Sequence, residues 1–428
     1  MARLVHIRYV PHRAEAIENC LRWSPVSNGH VIEDLPQLMW QNFSPWREAN
    51  LWALERASTR GVSIKTVQSH FTALHAYANW LEEANVNWWD FPLRKADRCL
   101  VRYRGALIEA RDRGVIAPST TSQRMASVVL FYKWLYEKGF LSTESHLWAE
   151  KSVVIHFADK VGFERTILVK STDLAIPNRS APGERLEDGL LPVAVKDRDV
   201  ILTFAKKNAS EELFLMLSLG FFTGMRIGTL TDLKVQTLER AVPDPATSNL
   251  FRLAVGPGAD PPVRTKFGVT GQVWITKVQL DELLTYVYSV RRLLREAKSN
   301  PENRDLVFLT RFGNPYIKHG LDKSTAINVE MHSLRQSGLK NGVTVLRNFH
   351  FHQTRCTFAT ELARLAIHVG GSINALAIVK EALLHKHEAT SLKYIRFVEK
   401  TPLKIEMGNA FTREFLGVLR TCRDATDE

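Results

Sequence analysis

A chain of 428 residues is too long for one ordinary domain, and 45% hydrophobic with 24% charged residues is the balance of a soluble globular protein. The formal charge of +12, with a pI near 9.5, points to a polyanionic partner: DNA, RNA or an anionic membrane. Cys20, Cys99, Cys356 and Cys422 lie far apart with no CxxC spacing, so neither a disulfide framework nor a cysteine zinc site is suggested, and a reducing cytoplasm fits. The N-terminal stretch MARLVHIRYVPHR lacks the apolar core of a signal peptide.

Residues 1–36 have mixed polarity and little period, and read as an arm or accessory segment. A small helical bundle with a basic surface is expected over 37–167. Its first long helix carries Val67, Phe71, Leu74, Ala78 and Leu81 on one face at steps of three and four, with Ser63 as N-cap. A second helix presents Met125, Val128, Tyr132 and Leu135 and stops at Gly139. Between them runs a basic stretch with Arg94, Lys95, Arg98, Arg102, Arg104, Arg111 and Arg113. Nine of the ten tryptophans fall before residue 150, and large aromatics of this kind are mainly core.

Residues 168–192 are rich in Pro, Ser and charge and are expected to be a linker. A second domain, 193–410, resumes with two helices. The second of these contains the apolar run LFLMLSLGFFTGM, too short to span a bilayer and expected to be a buried helix. Two β-rich runs around a Gly/Pro stretch predict a small antiparallel sheet near 250–276, followed by more helix. A tail helix over 411–428 carries Phe411, Phe415 and Leu419 four residues apart, an apolar stripe that must dock on its own domain or on a neighbouring protomer. The fold class is therefore mainly α with a small antiparallel β-sheet.

Four stretches in the second domain carry candidate chemistry. FFTGMRIGTL places Arg226 after Thr223-Gly224, VRTKFGVTG places Lys266 at a tight turn, HFHQTRCTFAT supplies His352 and Arg355 on one helical face, and LLHKHEATSLKYIRF supplies His385 and Tyr394. Singly each is an ordinary surface or packing residue. In this order the set resembles the tyrosine recombinase (phage integrase) family, whose catalytic domain carries Arg, Lys, His-x-x-Arg, His or Trp, then Tyr. The resemblance covers roughly residues 40–405, including KTVQSHFTALHAYANWLEE, which is similar to the family's core-binding domain. It departs from the pattern at Thr229, where an acid is common, at Leu384, where glycine is usual, at Cys356, often histidine, and in a longer segment between Arg355 and His385. The missing acid leaves open what orients Arg226.

The resemblance implies a site-specific DNA recombinase that cleaves and rejoins strands through a 3′-phosphotyrosyl intermediate, without metal, ATP or other cofactor. Arg226 and Arg355 would grip the phosphate, His352 would accept the tyrosine proton, Lys266 would protonate the leaving 5′ oxygen, His385 would donate to a phosphate oxygen, and Tyr394 would attack. It implies double-stranded DNA as partner, a homo-tetramer on paired sites, a monomer or dimer off DNA, and no membrane association. Lys65, Arg94, Lys95, Arg98, Arg102, Arg104 and Arg124 are the candidate DNA contacts. Three rivals stand beside this reading: a metal enzyme using the histidines of HFH and HKH, a non-catalytic DNA-binding protein on the same fold, and a type IB topoisomerase-like enzyme.

Overall fold

The computed structural model describes residues 1–17, 20–27, 29–142, 146–158, 164–178, 186–317, 324–402 and 407. The chain divides into two units, Met1–Pro182 and Gly183–Glu428.

The first unit begins with strands, over the residues that the sequence reading takes as an arm or accessory segment. They are β1 (Arg3–Tyr9), β2 (His12–Ile17), β3 (Cys20–Pro25) and β4 (Ile32–Met39). β1 pairs antiparallel with β4, and β2 with β3. What drives β4 into place is burial: Ile32, Leu35 and Leu38 join the core of the helices that follow, whereas β1 to β3 are largely exposed and so show little periodicity. Those helices are α1 (Arg47–Ser58), α2 (Ile64–Ala84), α3 (Cys99–Asp112) and α4 (Pro118–Glu137). Ser63 caps α2 by accepting from the Lys65 amide, and Val67, Phe71, Leu74, Ala78 and Leu81 are all buried, as are Met125, Val128, Tyr132 and Leu135 of α4. Gly139 lies just past α4 with φ +74°. Trp46, Trp52 and Trp134 are buried, while Trp23 and Trp89 are exposed.

A hairpin follows, β5 (Glu150–Ala158) against β6 (Glu164–Thr172). Residues 168–172, expected within the linker, are thus strand. The two strands pair in continuous antiparallel register, from Glu150 with Thr172 to Ala158 with Glu164.

The second unit contains α5 (Val195–Asn208), α6 (Glu211–Thr223), the short α7 (Ile227–Leu230) and α8 (Val235–Glu239), then a three-stranded antiparallel sheet of β7 (Val242–Asp244), β8 (Thr247–Val255) and β9 (Gly271–Thr276) in that order. α9 (Lys277–Val287), α10 (Val290–Glu296), α11 (Thr325–Lys340) and α12 (Gln353–Ala382) follow, and residues 388–402 are helical again. The expected buried helix is α6. Its Glu212 is fully buried and held by Arg291 at 2.8 Å, Arg295 at 2.9 Å and the Tyr286 hydroxyl at 3.1 Å, which ties α6 to α9 and α10. Burial opposes ionisation of Glu212, but Arg291 and Arg295 outweigh it and hold the carboxyl below its ordinary range.

α12 is the one helix among the described residues long and apolar enough to cross a bilayer by length and composition. Its first turns are instead packed within this unit, with Thr354, Arg355, Cys356, Thr357 and Ala359 buried. It breaks at Gly371, inside the stretch that lengthens the Arg355–His385 interval. The tail helix expected over 411–428 lies outside the described residues.

Candidate functional site

Two close approaches build the site. α6 and α12 touch at Gly220, where a Cβ would collide with the side chain of Thr354. α6 then ends at Gly224, whose φ of +65° reverses the chain and where a side chain would strike Phe358 and Leu383. This turn delivers Arg226 to the position just before α7. It also leaves the Gly224 carbonyl free to accept from Arg355 Nη1 at 2.6 Å, while Leu383 O accepts from Nη2 at 2.9 Å. Arg355 is therefore fixed from behind by two carbonyls at the ends of two helices, and is buried. Burial and the nearby Arg226 charge work to lower its pKa.

The guanidinium groups meet at an acid the sequence reading did not anticipate. Glu187, at the start of a three-residue 3₁₀ turn (Glu187–Gly189), reaches between them. Arg226 Nη2 donates to Oε1 at 2.9 Å, and Arg355 Nε donates to Oε2 at 3.0 Å. His385 Nε2 stands 3.5 Å from Oε1, His352 Nε2 stands 3.8 Å from Oε2, and the Tyr394 hydroxyl donates to Oε2 at 3.3 Å. Burial resists the ionisation of Glu187, but the His385 contact and the charges of Arg355 and Arg226 hold its carboxyl well below the usual carboxylate range.

His352 directly precedes α12 in a right-handed helical conformation, so the three-residue spacing to Arg355 does put both on the Glu187 side. His385 is buried. Its Nδ1 is 2.8 Å from Ser391 Oγ, and its ring stacks on Tyr394 with centroids 6.1 Å apart and planes 11° apart. Burial lowers the pKa of His385, and Glu187 only partly offsets this. Tyr394 has no exposed surface; burial, then the neighbouring Cys356 thiol and Glu187 carboxylate, push its hydroxyl well above the ordinary phenol value. The Cys356 sulfur is 3.9 Å from that hydroxyl.

Lys266 lies in the turn Lys266–Gly268 between β8 and β9, exposed, with Nζ 5.4 Å from the centroid of the Phe267 ring. It lines one small pocket together with Arg226, Thr229, Arg355 and Leu384, at the rim of the site rather than against Glu187. Leu384 has φ +51°, and this left-handed conformation gives a physical reason for glycine at that position. His350 and His387, the outer members of HFH and HKH, are exposed, while His352 and His385 face Glu187. Among the described residues no group of three His, Cys, Asp or Glu side chains is placed to hold a metal ion.

The candidate DNA contacts fall in the first unit and differ in availability. Arg98 is spent internally, donating to the carbonyls of Pro92, Leu93 and His146. Lys95 pairs with Asp173 at 2.5 Å, and Arg94 lies 3.8 Å from Asp97. Arg102 is exposed on α3, Arg104, Arg124 and Lys65 are half-buried, and Arg111 is buried against Asp112.

The geometry is that of a receptor for one anion with two terminal oxygens, with a hydroxyl poised beside it. No protein-family model matches the sequence, and no curated protein does. Solved structures do resemble it. The Tn1549 transposon integrase in complex with transposon right-end DNA superposes with a TM-score of 0.50 at 10% identity, covering 81% of this chain and 94% of that one. The same integrase with a circular-intermediate DNA gives 0.50 at 11%, covering 83% and 98%. A lambda integrase tetramer bound to a Holliday junction gives 0.47 at 15%, covering 81% and 75%. The chain has the tyrosine recombinase fold.

Proposed function

We propose that this chain is a site-specific DNA strand-exchange enzyme whose nucleophile is Tyr394. The observation that carries the reading is the convergence of Arg226, His352, Arg355, His385 and Tyr394 on the two oxygens of a single carboxylate, with Lys266 at the rim. A phosphodiester has the same single negative charge and two terminal oxygens, and the two guanidinium groups suit its geometry.

In the proposed reaction the Tyr394 oxygen attacks phosphorus, the P–O5′ bond breaks, and a 3′-phosphotyrosyl bond forms. His352 takes the hydroxyl proton, and Lys266 supplies one to the departing 5′ oxygen. Arg226, Arg355 and His385 stabilise the charge that builds on the non-bridging oxygens. Attack by a 5′-hydroxyl of another strand reverses the bond changes and completes exchange. Burial, with the Cys356 and Glu187 neighbours, holds the hydroxyl well above the ordinary phenol value, so attack needs a base to take its proton. Exchange between two duplexes requires four cleavages, so the working unit is proposed to be a tetramer on paired sites. Arg102, with Lys65, Arg104 and Arg124, is proposed to contact the DNA backbone. That DNA is the partner is supported by the DNA-bound integrases of the same fold.

The test is covalent capture on a nicked suicide duplex. Wild type gives an SDS-resistant adduct, and Tyr394→Phe gives none while retaining DNA binding. An adduct with the phenylalanine variant removes Tyr394 as nucleophile.

A further inference from the structure

The acid at the centre of the site does not belong to the six-residue set. We infer that Glu187 is a built-in competitor for the phosphate: its carboxylate closes the anion site, and DNA must displace the 186–193 segment before Tyr394 can react. The inference rests on the recombinase reading for the identity of the displacing anion.

Three observations support it. The first is the face that Glu187 occupies. A residue that merely oriented the arginines would sit behind them, as the Gly224 and Leu383 carbonyls sit behind Arg355. Glu187 instead takes Arg226 Nη2, Arg355 Nε and the Tyr394 hydroxyl itself, the groups a reacting phosphate needs. The second is charge. Adding a phosphodiester while the carboxylate stays would place two anions on the same donors among buried groups, and like charges at such range exclude one another. The third is how the segment is held. Leu186 is buried with Cys356, Ala359 and Tyr394, and a few hydrogen bonds complete the docking: Gln353 Nε2 to Leu191 O at 3.1 Å, and Val193 N to Thr357 Oγ1 at 2.8 Å. Apart from Tyr394, these contacts lie on the first turns of α12. The segment is a short turn whose apolar anchors are Leu186, Leu190 and Val193, so that it can leave while the remaining members of those clusters stay packed on one another.

The experiment uses the full chain with Glu187→Ala and the near-isosteric Glu187→Gln. Sulfate is titrated as the probe anion, with binding read from the rise in melting temperature. Adduct formation on the nicked duplex is measured alongside. If the closed state holds about nine molecules in ten, opening it raises apparent anion affinity about tenfold. The expected result is that sulfate binds both variants about tenfold more tightly than wild type, and that both form adduct at lower DNA concentration with an undiminished maximum rate. Sulfate binding no tighter than wild type, or a fall in the maximum rate, overturns the inference and makes Glu187 part of the working site. The sulfate arm involves neither DNA nor Tyr394 chemistry. A sulfate gain with no adduct from any form, wild type included, would sustain the competitor and refute the recombinase reading. A wild-type adduct without the sulfate gain would do the reverse.

Discussion

Arg226 and Arg355 point at the same carboxylate, yet the structure gives them different second roles, and replacing each by lysine should separate them. Arg355 makes three bonds: to Gly224 O at 2.6 Å, to Leu383 O at 2.9 Å and to Glu187 at 3.0 Å. A lysine ammonium can keep the ion pair or one carbonyl but cannot span both helix ends. At least one buried carbonyl then loses its donor, at a cost of about 1–3 kcal/mol, and a hydrogen bond from a charged group worth a similar amount goes with it. Arg355→Lys should therefore destabilise the second unit by about 2–4 kcal/mol, a large share of the ~5–15 kcal/mol typical of a folded domain. The hydrogen bond of Arg226 goes to Glu187, and a lysine there retains the charge pairing and strands no backbone carbonyl, so Arg226→Lys should cost less than Arg355→Lys. Both should lower adduct formation by about 100-fold or more, the scale set by losing one oxyanion donor. Hydrogen exchange of amides in α6 and α12 reads the local stability, and the suicide duplex reads the chemistry. Equal destabilisation by the two variants, or near-normal cleavage by either, would refute the division of labour drawn here.

Two further outcomes follow from the same geometry. Leu384 sits at φ +51°, where a Cβ costs about 1–2 kcal/mol, so Leu384→Gly should be more stable than Leu384→Ala by about 1 kcal/mol in urea melts; the reverse order would show that the conformation is not strained. Glu187 is ionised in a site of Arg226, Arg355, His352, His385 and Tyr394, with its folded pKa below the ordinary 4.5. A depressed carboxyl pKa adds stability that is complete above about pH 4.5 and is lost as pH falls toward the folded value, so the stability gap between wild type and Glu187→Gln should be level near neutrality and narrow in acid; a gap that widens in acid would contradict the sign of the shift.

The helices of both units were legible because their buried faces repeat at helical spacing, as Val67 to Leu81 and Met125 to Leu135 show. The second-unit sheet was legible from its Gly/Pro punctuation. The strands of residues 3–39 were not, because β4 buries its residues at irregular spacing (Ile32, Leu35, Pro36 and Leu38), and a two-stranded ribbon with exposed faces writes no alternation into the sequence. The hairpin ending at Thr172 was masked by the charge and proline that follow it. Basic residues were legible as charge but not as available charge: nothing in the sequence distinguishes Arg98, bonded to three carbonyls, from exposed Arg102. In the candidate site, order and spacing marked the five residues that meet at Glu187 and Lys266 at the rim. They could not mark Glu187, which sits in a Pro/Ser/charge-rich stretch where an acid is the default solvated residue.

Thr229 and Glu187 are best understood together. With a buried, neutral threonine three places after Arg226, no acid on α7 offsets the two guanidinium charges. Like cations side by side are unfavourable until an anion joins them, and the Arg226 charge adds to burial in lowering the pKa of Arg355. The chain before α5 carries Glu184, Glu187 and Asp188 within reach in sequence, and Glu187 fills the vacancy. An acid fixed at position 229 would have to stay through a reaction cycle, whereas one on a surface turn need not. On the proposed mechanism, this chain has moved the compensating charge from a helix that cannot leave to a segment that can, so that neutralising the arginines and admitting DNA become mutually exclusive states of the same two side chains.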